Sequence, residues 1–283
     1  MTTPMRAVLF TGYLVGLAAL YAGPIQALID LSRTNPTASH VVLVPLVSVA
    51  LVMLKRRAIF SSTAWGWRAG SAVIAAGAAL GFYGRGLEGD ALSVTTAGLV
   101  VATIGGFLLI FGRAATRAAL FPLAFLLFAV PIPGVVLAHL ILYLKKGSTA
   151  AVASLFDLTT TPYHRDGFVF ALPAFNIEIA DECSGIRSSI ALLLTALLAG
   201  HLFLRSGWKQ ALLVAVTFPV AILKNGIRIT TLSLLASHVD ARYLTGQLHH
   251  EGGIVFYVIT LGLLAPIFLV LKNSERVLQK ENS

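Results

Sequence analysis

The chain has 283 residues and a mass of 29.9 kDa; 57% of it is hydrophobic, only 12% is charged, and its mean hydropathy is +0.85. An ordinary soluble domain is about 25% charged, so this composition excludes a soluble globular enzyme, a disordered tail and a fibrous repeat, and leaves a polytopic membrane protein. The 21 Lys and Arg against 12 Asp and Glu give a net charge of +9, a surplus that reports membrane orientation; no basic tail or aromatic-interleaved basic patch supports a nucleic-acid partner.

A spanning helix needs about 20 predominantly apolar residues. Charge-free runs at 7–29, 34–54, 69–84, 91–112, 118–144, 188–204, 210–223 and 252–271 predict about eight. The seventh continues past Lys224 and Arg228 to Ala236. The first run passes through Tyr21-Ala22-Gly23-Pro24 without a small-x-small cleavage context, so it reads as a transmembrane helix and not as a signal peptide. Residues 135–157, with Lys145-Lys146 inside, read as an amphipathic or re-entrant element facing outward. Residues 158–182 are the largest polar excursion. The stretch Phe168–Ile179 alternates in a partly strand-like way, which suits a short extracytoplasmic hairpin or loop. No internal repeat or low-complexity linker divides the chain. The expected architecture is an all-α transmembrane bundle, one integral membrane domain over 1–283.

With the N-terminus inside, the inner ends and loops hold Arg6, Lys55-Arg56-Arg57, Arg68, Arg113, Arg117, Arg205, Lys209, Lys272, Arg276 and Lys280, with Glu275 and Glu281 as their only acids. This asymmetry selects N-in and C-in.

Ionisable groups at the edge of membrane helices mark function by default, and three clusters qualify. The first is Ala180-Asp181-Glu182-Cys183-Ser184-Gly185-Ile186-Arg187-Ser188-Ser189. Cys183 is the only cysteine, which excludes an internal disulfide and a Cys-rich metal site. At a helix N-terminus its thiolate is stabilised by the helix field. Asp181 or Ser184 is expected to cap that helix. Arg187, four residues on, is expected to share a face with Cys183. The second cluster is Lys224-Asn225-Gly226-Ile227-Arg228, where Arg228 can bind a carboxylate, support an oxyanion, pair with Glu182 or snorkel toward headgroups. The third is Gln247-Leu248-His249-His250-Glu251-Gly252-Gly253, where an imidazole can take a thiol proton and return it to a leaving amine. Two histidines and Glu251 also suit zinc, but no HExxH-type pair accompanies them; no metal and no cofactor is expected. The charge count places all three clusters on the outer side, together with His40 at the start of the second span. His139, His164, His201 and His238 read as interfacial or loop residues. On residue types alone a transporter or channel, a noncatalytic membrane assembly factor and a zinc-dependent hydrolase stay open beside a cysteine enzyme.

The ordered motifs resemble the exosortase/archaeosortase family of multipass membrane cysteine enzymes, with the closest similarity to bacterial exosortases. Glu182-Cys183-Ser184-Gly185-Ile186-Arg187 resembles the family's cysteine motif. Asn225-Gly226-Ile227-Arg228 matches its Asn-x-x-Arg element. His250-Glu251-Gly252-Gly253, followed by Phe256, resembles its histidine-glycine element. Ser39-His40, Val44-Pro45-Leu46 and Phe121–Phe128 leading to Pro131-Ile132-Pro133 add to the likeness, which covers about residues 35–270. Asp181, Ile254 and the adjacent His249 depart from the common pattern. The resemblance implies Cys183 as nucleophile, Arg228 as essential arginine and His250 as proton-transfer residue, with Glu182, Arg187, Asn225, His249 and His40 supporting the site or the substrate. It implies cleavage of exported proteins that end in a short motif such as Pro-Glu-Pro, a transmembrane helix and a basic tail. A thioacyl enzyme would then pass to an envelope acceptor or to water, with membrane lipid surrounding the reaction.

Overall fold

The computed structural model describes residues 3–240, 242 and 253–281. The chain packs as two compact units, Met1–Leu137 and Ala138–Ser283.

In the first unit, α1 (Thr3–Leu20) and α2 (Ala22–Thr34) form one apolar run bent by 78° at the buried Tyr21. A 3-10 turn at Pro36–Ala38 leads to α3 (Leu43–Leu54), and the short α4 (Arg56–Ile59) carries the basic run. The most extensive pairing is between α5 (Trp67–Arg85) and α6 (Ala91–Ala118). It is built on small residues: a Cβ on Gly98 would lie 2.5 Å from the backbone nitrogen of Gly81. Backbones this close replace the hydrophobic force that lipid cannot supply between helices. An aromatic core of Phe107, Ile110 and Phe111 gathers Phe10 and Phe60 around the inner part of α6. Arg6, expected in an inner polar end, is 5% exposed. It donates to the Ile110 carbonyl and lies 5.0 Å from the Trp65 ring centroid.

The charge-free run 118–144 is not one helix. α7 (Leu120–Phe125) tightens into a 3-10 turn at Leu126–Ala129, and Val130 is extended. Pro131 and Pro133 lack backbone donors and disfavour helix in the residues before them. The stretch expected as amphipathic or re-entrant is instead an unbroken 25-residue helix, α8 (Gly134–Leu158).

The second unit continues with a three-stranded antiparallel sheet, β1 (His164–Asp166), β2 (Val169–Ala171) and β3 (Asn176–Glu178), in the order β1-β2-β3. The expected hairpin is thus β2–β3, in the register Val169↔Glu178 and Phe170↔Ile177, with β1 added on the other edge. Phe170, Leu172 and Ile179 bury against Val152 and Phe156 of α8, with Ile229 packed alongside. After a 3-10 turn at Asp181–Ser184 come α9 (Ile186–Phe203), α10 (Gly207–His238) and α11 (Gly253–Glu281). These three pack through Leu192, Ala196, Leu213, Ala221, Leu264 and Leu271.

Among the described residues, six helices are long and apolar enough to cross a membrane, or seven if the bent pair α1–α2 is one span, against about eight expected. α5 is not among them, because its Gly- and Ala-rich sequence and its Trp67-Arg68 start lower its hydropathy.

Candidate active site

Cys183 lies in the 3-10 turn that joins the sheet to α9, half-buried, with its N–H donating to the Ala180 carbonyl at 3.0 Å. Gly185 follows with φ +78°, a left-handed conformation that only glycine adopts at no steric cost. This residue turns the chain from the cysteine into α9. The Asn225 amide also presses on it: a Cβ at 185 would lie 3.0 Å from Asn225 Oδ1.

The helix start differs from the expectation. Neither Asp181 nor Ser184 caps α9; the N-cap is Gly185 itself. Its carbonyl accepts from the backbone N–H of Ser189 at 3.0 Å and from the hydroxyls of Ser188 and Ser189 at 2.9 Å each. Asp181 turns instead to α8 and pairs with Lys145 at 3.0 Å; its side chain is 66% exposed against 13% for the lysine. Lys145 Nζ also sits 4.6 Å from the Phe168 ring centroid, so one cation ties α8 to both ends of the segment 168–181. Ser184 Oγ is buried with no hydrogen-bond partner among the described residues. Arg187 is exposed, with no hydrogen bond or ion pair among the described residues, and it does not share a helical face with Cys183. The reason is the left-handed Gly185: four-residue helical spacing does not run through it.

The clamp on the cysteine turn comes from α10. Asn225, 1% exposed, donates from Nδ2 to the Cys183 carbonyl at 2.7 Å and to Ser148 Oγ of α8 at 3.0 Å. One amide thereby joins α8, α10 and the cysteine turn. α8 and α10 come close enough for this because small residues line their crossing. A Cβ on Gly226 would meet Ala151 Cβ at 2.7 Å, and one on Gly147 would meet Ile222 Cδ1 at 2.7 Å. Lys224, one residue before Asn225, is 3% exposed and donates to Ser188 Oγ at 2.5 Å. Arg228, one turn beyond Lys224 on the same face of α10, is half-buried.

The structure therefore brings Cys183 and Asn225 into contact and puts Arg228 one turn from that contact on α10. His40 belongs to the other unit, in the turn before α3, where its carbonyl accepts from Leu43 and Val44. His249, His250 and the Glu182 side chain lie outside the described residues. No group of three His, Cys, Asp or Glu able to hold a metal occurs among the described residues. Sequence reasoning passed over Ser148 and Lys145. Both sit in the Lys145-Lys146-Gly147-Ser148-Thr149 stretch, a polar run inside an apolar helix that could have flagged them. Between the ends of α8 and α10 is a cleft of about 590 Å³ lined by Thr159, Thr161, Thr231, Leu234 and His238 among others.

A buried, amide-clamped cysteine turn with two cations on the facing helix defines a multipass membrane protein with a polar site at the end of a helix. The match to the model of the transmembrane exosortase family (Exosortase_EpsH) runs over residues 32–266, and the chain belongs to that family. No curated protein and no solved structure matches it.

Proposed function

We propose that the protein is a membrane cysteine peptidase or transpeptidase that processes C-terminal sorting signals of exported proteins, with Cys183, Arg228 and His250 as its reacting groups. The observation that carries this reading is the 2.7 Å hydrogen bond from Asn225 to the Cys183 carbonyl. It fixes the cysteine turn to the helix that bears Arg228.

Cys183 thiolate attacks the scissile carbonyl, and the carbonyl π pair moves onto oxygen. Arg228 supports that oxyanion or holds a carboxylate of the recognition motif. The intermediate collapses to a thioester as the C–N bond breaks, and His250, with His249 as its neighbour, protonates the departing amine. An acceptor nucleophile in the envelope, or water, then releases the acyl chain and restores the thiol. Glu182, Arg187 and His40 stay assigned to substrate support.

The depth of the site suits a substrate that ends in a membrane helix. α9 has 18 residues, about 27 Å, a few ångströms short of a hydrocarbon core of about 30 Å. α10 has 32 residues, about 48 Å, and overshoots it. The overshoot lies beyond Asn225, where Ile229 joins the core of the sheet. Cys183 then sits at the membrane surface, where a motif next to a transmembrane helix would arrive. The charge asymmetry supports reading that surface as the outer one.

The test is Cys183→Ala and Cys183→Ser in cells that co-express an exported reporter ending in Pro-Glu-Pro, an apolar helix and a basic tail. Processing is expected to stop in both variants, and a thioester-linked species to vanish. Processing that continues in Cys183→Ala sinks the proposal and favours a noncatalytic role.

A further inference from the structure

Lys224 is as buried as any charged residue among the described residues, at 3% exposure, yet it has no acidic partner there. Its one hydrogen bond there goes to a neutral hydroxyl, Ser188 Oγ. The direction of that bond is fixed by the neighbour. Ser188 Oγ–H already donates to the Gly185 carbonyl at 2.9 Å, so toward Lys224 the serine can only accept. This argues against a serine–lysine nucleophile pair, in which the hydroxyl would have to surrender its proton to the amine. It also leaves an ammonium with three donors and one acceptor. A buried cation in this condition is costly unless negative charge arrives to meet it.

The place where negative charge forms is near. Ser188 and Gly185 belong to the first turn after Cys183, and the residue next to Lys224 holds the Cys183 carbonyl. The other charged groups around this turn are Lys145 of α8, Asp181 of the turn itself, Arg187 of α9 and Arg228 of α10. Asp181 is engaged by Lys145 and so does not serve as the acid for Lys224. Glu182 and the residues 243–252 lie outside the described set.

We infer that Lys224 is a positioning and charge-supplying residue of the same site, whose ammonium stabilises the Cys183 thiolate across the Ser188–Gly185 turn. The inference rests on Cys183 being the reacting group, but its test needs no substrate. Cys183 is the only thiol in the chain. The rate of alkylation of purified full-length protein by iodoacetamide, followed against pH, therefore reads this one residue. Lys224→Gln keeps a donor for Ser188 and removes the charge. It is expected to move the midpoint of the pH–rate profile up by roughly one unit, and so to slow alkylation at pH 7 about tenfold, because only the thiolate reacts. Lys224→Arg should hold the profile close to that of the unaltered protein. Ser188→Ala keeps the charge and removes the tether, and should shift the rate by less than about threefold.

Equal shifts in Lys224→Gln and Ser188→Ala would reduce Lys224 to a tie on the turn and overturn the inference, as would an unchanged profile in Lys224→Gln. If Lys224→Gln does not accumulate, Ser188→Asp supplies the carboxylate that neutralises the ammonium in place. It should raise the midpoint in the same direction, and no rise overturns the inference. Loss of reporter processing in Cys183→Ala together with an unshifted Lys224→Gln profile would leave the peptidase reading standing and remove only Lys224 from it.

Discussion

α10 carries two buried lysines, Lys209 in its first turn and Lys224 near its middle, each 3% exposed, and their surroundings differ in kind. Lys209 donates to Ser274 Oγ at 2.8 Å and sits by the Trp208 ring, 5.6 Å from its centroid. Beside it Glu275 accepts from the backbone N–H groups of Arg205 and Ser206 at 2.9–3.2 Å. Every feature there closes the loop between α9 and α10 onto α11. Lys224 meets a hydroxyl and a second cation, and Ser184 Oγ and Asn225 Oδ1 close by are buried without partners among the described residues. The first surroundings hold a loop in register; at the second, each buried polar group left without a partner costs about 1–3 kcal/mol.

The widest gap between the two sites should come from Arg228. Arg228→Ala is expected to lower the rate of reporter processing by about 10²–10³-fold, the usual cost of losing an oxyanion-supporting donor, while Lys209→Met leaves the rate per folded molecule unchanged. Pulse-chase of the reporter in both variants decides this. Asn225→Ala comes next. It strands the Cys183 carbonyl and Ser148 Oγ, and should cost about 1–3 kcal/mol in thermal or denaturant unfolding together with a loss of processing. Asn225→Asp, which keeps the volume but not the donors, should fail in the same way. Gly185→Ala should cost about 1–2 kcal/mol for its left-handed φ and displace the Asn225 amide it would press on at 3.0 Å; slower iodoacetamide labelling of Cys183 would register the moved turn. The smallest effect belongs to Asp181→Asn. Its ion pair with Lys145 is 66% exposed on the acid side, so stability should change by no more than about 0.5 kcal/mol. A large loss there would erase the distinction between a firmly held amide clamp and a peripheral ion pair.

Much of this site was legible as sequence because its residues are polar in an apolar chain. Cys183, Asn225 and Arg228 stand out wherever a spanning helix should be featureless. The turn geometry was not legible. An N-terminal Cys suggests an i, i+4 partner in Arg187, but a single positive φ at Gly185 breaks helical spacing between them. Capping by Asp181 was equally reasonable on local grounds and lost to a long-range competitor, Lys145, 36 residues earlier. Among the helices, apolar length located α3, α6, α9 and α10 well. It failed at 118–144, where Pro131 and Pro133 divide one hydrophobic run between two helices, while the run 69–84 does fall on a helix, α5, whose glycines serve backbone contact with α6.

The bond from Asn225 to the Cys183 carbonyl also has a mechanical meaning. Asn225 and Arg228 are rungs of one helix, three residues apart, so the Cys183 turn is hung from the same rod that carries the arginine. A tilt or slide of α10 would then carry the Cys183 backbone and Arg228 together. On the proposed function, a bundle that admits a substrate helix could in this way loosen its packing while keeping that turn and the arginine in step.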